Sequence, residues 1–394
     1  MILLYDILIY VFFAYFASML ARKSQRYIET RHLSVDTWDQ YLICYMLFFA
    51  IIGGIRWNVG VDNISYITSA VYPNTISDSA EPLYRTITTF LHDIRLHWSI
   101  GLSLWCFIQI FFLTLALKQY RYLLVLLPYI MFGGRYWMDA MNVMRQMMVA
   151  FAFLWASKFI YEKKIIKYLL FIFIASFMHK SVLMLLPIYF LPRNLNIYKH
   201  RIILIAILIF CLIIGLSPAF TKLSYYVEIL QLALGYDNYG NGRITNILNN
   251  GDTNPLSFGP MMLTYLLIPI FIIWFSPKII KRYGDRIPYI NLWYNFSFIY
   301  ASIYFLVCNI SEIFLRPITY FLPFQMVMAT FVLYFLLHEI KYKKYLLETG
   351  IYIITIFTNT GWNVIKASGL PSLEETVTYK VFFMHERELK QLKL

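Results

Sequence analysis

Three arginines interrupt apolar stretches of this chain: Arg56 in RWNVGVD (56–62), Arg145 in NVMRQ (142–146) and Arg316 in EIFLRP (312–317). A guanidinium is a planar fork of donors that stays charged at physiological pH, so several together suit a phosphate or diphosphate. Each has polar company. Asn58 and Asp62 follow Arg56, Asn142 and Gln146 flank Arg145, and Glu312 stands four residues before Arg316. A fourth phrase, MHKS (178–181), carries His179, which lies within an apolar hairpin. A neutral imidazole can accept a proton from a hydroxyl, which makes His179 a candidate general base. Asp62 and Glu81 are the competing carboxylates. The plainer alternative is that each arginine snorkels to lipid phosphate and His179 is satisfied by a backbone carbonyl. Snorkelling anchors, however, should favour the cation-rich face and need no set distance to acids and amides.

The elements that must position these residues are membrane helices. Of 394 residues, 60% are hydrophobic and only 14% charged, whereas a soluble domain carries about a quarter of its residues as charges. The chain therefore reads as an all-α polytopic membrane protein. Apolar segments fall near 2–21, 40–55, 98–117, 122–134, 146–161, 168–178, 181–192, 202–216, 260–276, 289–308, 317–338 and 346–363. That gives about twelve transmembrane or half-spanning helices in a single membrane domain, 1–394, with a C-terminal tail, 364–394. The first segment reads as a retained span, since no basic stretch precedes it and no small-residue cleavage site follows. The four cysteines sit in or beside apolar runs without metal-ligand spacing, and read as buried thiols. The net charge of +13 is explained by cations held at one membrane face, not by a nucleic-acid surface.

Alternate connections hold twenty of the 34 cations, from Arg22, Lys23, Arg26 and Arg31 through to Lys341, Lys343 and Lys344. The positive-inside rule makes that side cytoplasmic. The other connections hold nine cations, and the four polar phrases fall on their side, the outer one. Two outer connections are long, 56–97 and 217–259; apolar residues recurring at helical spacing in both predict amphipathic helices on the outer surface. The segments 168–178 and 182–191 are short. Eleven helical residues rise about 16 Å, roughly half of a hydrocarbon core, so a tip at His179–Lys180 must face protein or water.

With RWNVGVDNISY (56–66), EPLY (81–84), NVMRQMMVAFAF (142–153), MHKSVLMLLP (178–187), RPITYF (316–321) and TYKVFF (378–383) in this order, the chain resembles the EpsG-like branch of the Wzy-type polysaccharide polymerases. It departs at Val61, where the family usually has threonine before the aspartate. The resemblance implies a GT-C-like bundle in the bacterial cytoplasmic membrane. It implies glycosyl block transfer between polyprenyl-diphosphate-linked oligosaccharides on the outer side, with neither nucleotide sugar, cofactor nor metal. Membrane lipids, and flippase and chain-length regulator proteins, are the implied partners. On this reading Arg145 and Arg316, supported by Arg56 or Arg243, hold the donor diphosphate. Asn142, Gln146, Glu81 and Glu312 support them, and His179 or Asp62 takes the acceptor proton. Two rivals share the need for diphosphate cations: an O-antigen ligase, differing in acceptor, and a lipid-linked oligosaccharide flippase, which should carry cations into the cytoplasmic half.

Overall fold

The computed structural model describes residues 2–60, 62–77, 80–193, 195–217, 259–307, 315–340, 344–367 and 378–384. In chain order the α-helices are α1 (Ile2–Thr30), α2 (Gln40–Gly54), α3 (Asn63–Val71), α4 (Pro82–Asp93), α5 (Trp98–Leu117), α6 (Arg121–Gly133) and α7 (Tyr136–Asn142). There follow α8 (Met144–Tyr161), α9 (Ile165–Ser176), α10 (Arg201–Gly215), α11 (Pro260–Tyr283), α12 (Ile290–Val307), α13 (Leu322–Ile340) and α14 (Leu346–Ala367). A 3-10 segment, Lys180–Phe190, follows α9, and another, Arg316–Phe321, leads into α13. Among the described residues there is no strand, only an isolated antiparallel bridge between Arg56 and Val381.

Each apolar segment read from the sequence is helical, and the protein is a multi-pass membrane protein. Among the described residues, six helical stretches are long and apolar enough to cross a hydrocarbon core: Ile7–Thr30, Trp98–Gly133, Ile197–Gly215, Pro260–Arg286, Ile290–Val307 and Arg316–Glu339. Gln40–Gly54, Ile165–Ser176 and Lys180–Phe190 are shorter. Large apolar side chains such as Ile166, Phe173, Phe190 and Ile202 are exposed, as lipid-facing positions must be. The long connection 56–97 does contain helices, α3 and α4; the other, 217–259, with Arg243, lies outside the described residues except for its two end positions, as does Glu312.

The described chain divides into two compact units, 1–193 with 326–394, and 194–325. In the first, α1 packs on α6, α2 on α5, and α5 on α8. Gly53 and Gly54 make the α2–α5 approach possible, because a Cβ there would sit 2.3 Å from Cys106 Sγ and 1.8 Å from Ser103 Oγ. Between α1, α2 and α6 an aromatic core forms around Phe132, which stacks on Phe49 (centroids 5.8 Å apart) and meets Tyr10, Phe13 and Trp137. At the cation-rich end Asp39 caps α2, accepting from the Tyr41 and Leu42 amides at 2.9 and 3.1 Å, and pairs with buried Arg121 and Ser24. At the other end the segment 378–384 docks. The Trp57 amide donates to Lys380 O (2.8 Å), the Phe382 amide to Ile55 O (3.1 Å), and the Tyr379 hydroxyl to Ile52 O (2.6 Å).

In the second unit, α10 packs on α12. Gly215 permits that contact, since a Cβ there would lie 1.9 Å from Phe305 O. Asn295 Nδ2 donates to Leu195 O at 2.9 Å, and Phe296 packs against Phe321 and Phe324. Pro317 opens the 3-10 turn that runs into α13, the helix start expected from its position.

Candidate functional site

The site assembles at the cation-poor end of the first unit, and its keystone is Glu81. Pro82 follows it, and the residue before a proline is confined to extended backbone; Glu81 accordingly has φ −63° and ψ 136° and immediately precedes α4. The first turn of α4 docks on the end of α9, with the Leu83 amide donating to Phe177 O at 3.0 Å. That backbone bond brings Glu81 against His179: Oε1 lies 2.9 Å from Nδ1 and accepts from the Lys180 amide at 3.3 Å. The other carboxylate oxygen, Oε2, accepts from Arg145 Nη1 at 2.5 Å.

Arg145 occupies the second position of α8, the positive end of that helix's dipole, where a cation is unfavourable without an anion beside it. Glu81 supplies the anion. Tyr84, one turn along α4, supplies an aromatic face, with the guanidinium carbon 4.8 Å from its ring centroid. The phrase EPLY is thus a clamp whose glutamate and tyrosine, three residues apart on one helix face, hold the same arginine. Tyr66 of α3 completes the collar, its ring 6.4 Å from that of Tyr84 and its hydroxyl hydrogen-bonded to Arg145.

The electrostatics follow from this packing. Burial alone would raise the Glu81 carboxyl, but the His179 hydrogen bond and the Arg145 charge outweigh it and hold the group at about 2. Burial pushes the Tyr66 hydroxyl up to about 12, with the Arg145 charge opposing the rise and the Asp62 carboxylate adding to it. An ionised Glu81 can only accept, so His179 Nδ1 carries the proton of the shared bond. In the neutral ring Nε2 is then the accepting nitrogen.

Asp62 sits where the 56–62 loop meets α7. Its amide donates to Asn142 Oδ1 at 3.1 Å, and its side chain does not cap α3. Gly60 has φ +88° and lies against Asn142, whose Cα is 3.6 Å from where a Cβ would be. Gln146 is buried one residue beyond Arg145. Arg56 is placed differently. It is fully buried, and its donors go to Gly53 O (2.6 Å), Val59 O (3.2 Å) and Met141 O (3.0 Å), with the sulfurs of Met141 and Met144 beside them. It closes the carbonyl end of α2, where a cation complements the helix dipole. Three of the four polar phrases therefore meet at one end of one unit. Arg316 belongs to the other unit, where it is exposed at the start of its 3-10 turn.

The EpsG family matches this chain over residues 40–380, from the first residue of α2 into the docked segment. The chain belongs to the EpsG family. EpsG proteins are Wzy-like polysaccharide polymerases, and a polymerase-like role in polysaccharide synthesis follows. Comparison with curated proteins and with solved structures gives no match. The Glu81–Arg145–His179 arrangement lies wholly inside the span that matches EpsG.

The sequence pointed to Arg145, His179, Asp62 and Asn142, and it named Glu81 only as support or as a rival base. The signal for its larger part was the Glu-Pro dipeptide, which fixes a carboxylate in extended backbone at a helix start. A further cation, Arg135, went unremarked in the sequence; its signal is the Gly133–Gly134–Arg135 run.

Proposed function

We propose that this EpsG protein joins polyprenyl-diphosphate-linked oligosaccharide repeat units by glycosyl block transfer on the outer face of the bacterial cytoplasmic membrane, within a GT-C-like bundle of about twelve spanning or half-spanning helices. The observation that carries the reading is the single carboxylate of Glu81 joining Arg145 to His179. A cation suited to a diphosphate and a base suited to a hydroxyl are thereby held a few ångströms apart, as substitution at an anomeric carbon requires.

In the proposed step the acceptor hydroxyl oxygen attacks the anomeric carbon of the donor glycan. A new C–O bond forms, the bond from that carbon to the diphosphate oxygen breaks, and its electron pair leaves with the polyprenyl diphosphate. The hydroxyl proton passes to His179 Nε2, and Glu81 stabilises the imidazolium through Nδ1. Arg145, with one N–H on Glu81, has further donors to turn towards the charge growing on the leaving diphosphate. Tyr84 and Glu81 hold its fork in place. Arg316 and Arg243 are proposed as further diphosphate cations, and Asp62 as the base should His179 prove dispensable. Arg56 receives no such role, because its donors already close helix α2.

Reconstitution in vesicles with purified lipid-linked repeat units tests the reading, and a ladder of lengthening products is the expected result. One transfer onto a lipid A core without a ladder indicates a ligase. Translocation of the lipid without any new glycosidic bond indicates a flippase.

A further inference from the structure

Arg135 stands on the opposite flank of α7 from the Glu81 clamp. Helix α6 ends in Gly133, Gly134 follows, and Arg135 then takes φ +69°. That is the left-handed position just past a helix end, where glycine is the residue of choice and an L side chain is strained. Glycine occupies the two preceding positions, yet an arginine takes the strained one.

The side chain is held as well as the backbone. Arg135 Nη1 donates to Asn363 Oδ1 at 3.4 Å, and Asn363 Nδ2 donates to Asn359 O at 2.8 Å. Asn359, buried one turn earlier on α14, donates to Gly134 O at 3.3 Å and so secures the turn itself. These asparagines give a purpose to the polar end of an otherwise apolar helix. Arg135 Nε also meets Asp139 Oδ1 at 3.3 Å, with the two side chains 35% and 37% exposed. An ion pair that open to water is weak, so a dianion able to take both prongs of the fork displaces it.

We propose that Arg135, oriented by Asn363 and Asn359, binds the diphosphate of the acceptor lipid. This rests on the polymerase reading above. In that reaction the acceptor attacks through a sugar remote from its own diphosphate, so its anion cannot occupy the Arg145 site. It needs a separate cation at the same end of the helices. The seven residues of α7, about 10 Å of helix, separate Arg135 from the Asn142–Arg145 corner.

The test uses the full-length protein in phosphatidylcholine vesicles, with Arg135→Gly as the main variant. Glycine relieves the left-handed strain, so folding is preserved or improved, and melting temperature checks this. With a preformed lipid-linked polymer as donor and a fluorescent single repeat unit as acceptor, the acceptor KM is expected to rise tenfold or more while the donor KM stays unchanged. Arg135→Lys should fall between. Titration with glycan-free polyprenyl diphosphate, which needs no catalysis, should count two sites in the wild type and one in Arg135→Gly. An unchanged acceptor KM, equal changes for both substrates, or two sites retained in Arg135→Gly overturns the proposal. So does a defect that develops only when anionic phospholipid is added, since Arg135 would then be a headgroup anchor. A wild type that counts two sites but forms no polymer instead sinks the polymerase reading.

Discussion

Glu81 Oε1 lies 2.9 Å from His179 Nδ1 across 98 residues of sequence. The contact decides the chemistry of both groups. It keeps the carboxylate ionised, and it assigns the imidazole proton to the nitrogen that faces Glu81. Because the same carboxylate also holds Arg145, neither partner can shift without the other.

Replacing Glu81 by Gln keeps the shape and removes the charge. Arg145 then lacks its anion, and the imidazolium formed in turnover loses its stabilising partner. Polymerisation per folded molecule should drop by about two orders of magnitude, measured as the initial rate of product-ladder formation. A fall of less than threefold would detach Glu81 from the reaction.

The same carboxylate governs acid stability. Its ordinary value is 4.5 and in the folded protein it stands at about 2. A lowered carboxyl stabilises the fold above its ordinary value, and that stability is lost as pH falls through the folded one. Melting temperature in detergent should therefore fall from about pH 4.5 towards pH 2, with on the order of 3 kcal/mol at stake. The loss should be smaller in Glu81→Gln, and identical acid profiles for the two proteins would contradict the pairing.

His179→Ala should lower turnover by about 10²–10⁴-fold, as loss of a general base does, with protein level maintained. Wild-type turnover from this variant would move the base to Asp62.

Arg145→Lys preserves the charge but not the fork. An ammonium cannot serve Glu81, Tyr66 and a diphosphate in one plane, so chain length on a gel should collapse while membrane abundance holds. Full-length polymer from Arg145→Lys would end the diphosphate assignment.

Arg56→Lys separates a structural cation from a binding one. Lysine cannot span the carbonyls of Gly53, Val59 and Met141, which leaves buried acceptors unpaired at a cost of about 1–3 kcal/mol. Folded yield and melting temperature should drop, while KM per folded molecule stays constant. A raised donor KM with normal stability would return Arg56 to the substrate site.

The class of this protein was legible in its sequence, because burying a backbone in hydrocarbon demands long apolar helices and the positive-inside rule sorts their connections. Arg145 and His179 stood out for the same reason: polar side chains are costly in such segments and are kept for a purpose. What residue types and spacing could not decide was which polar residues meet. Arg56 and Arg145 look alike along the chain, as cations near the ends of apolar runs. Packing made one a buried helix closure and the other the partner of Glu81. The difference arises from pairings 64 and 85 residues apart, between Arg145 and Glu81 and between Arg56 and Met141. Local spacing cannot encode contacts over such separations. Only the tertiary structure, by docking the first turn of α4 on the tip of α9, turned the Glu-Pro start of a surface helix into the centre of the site.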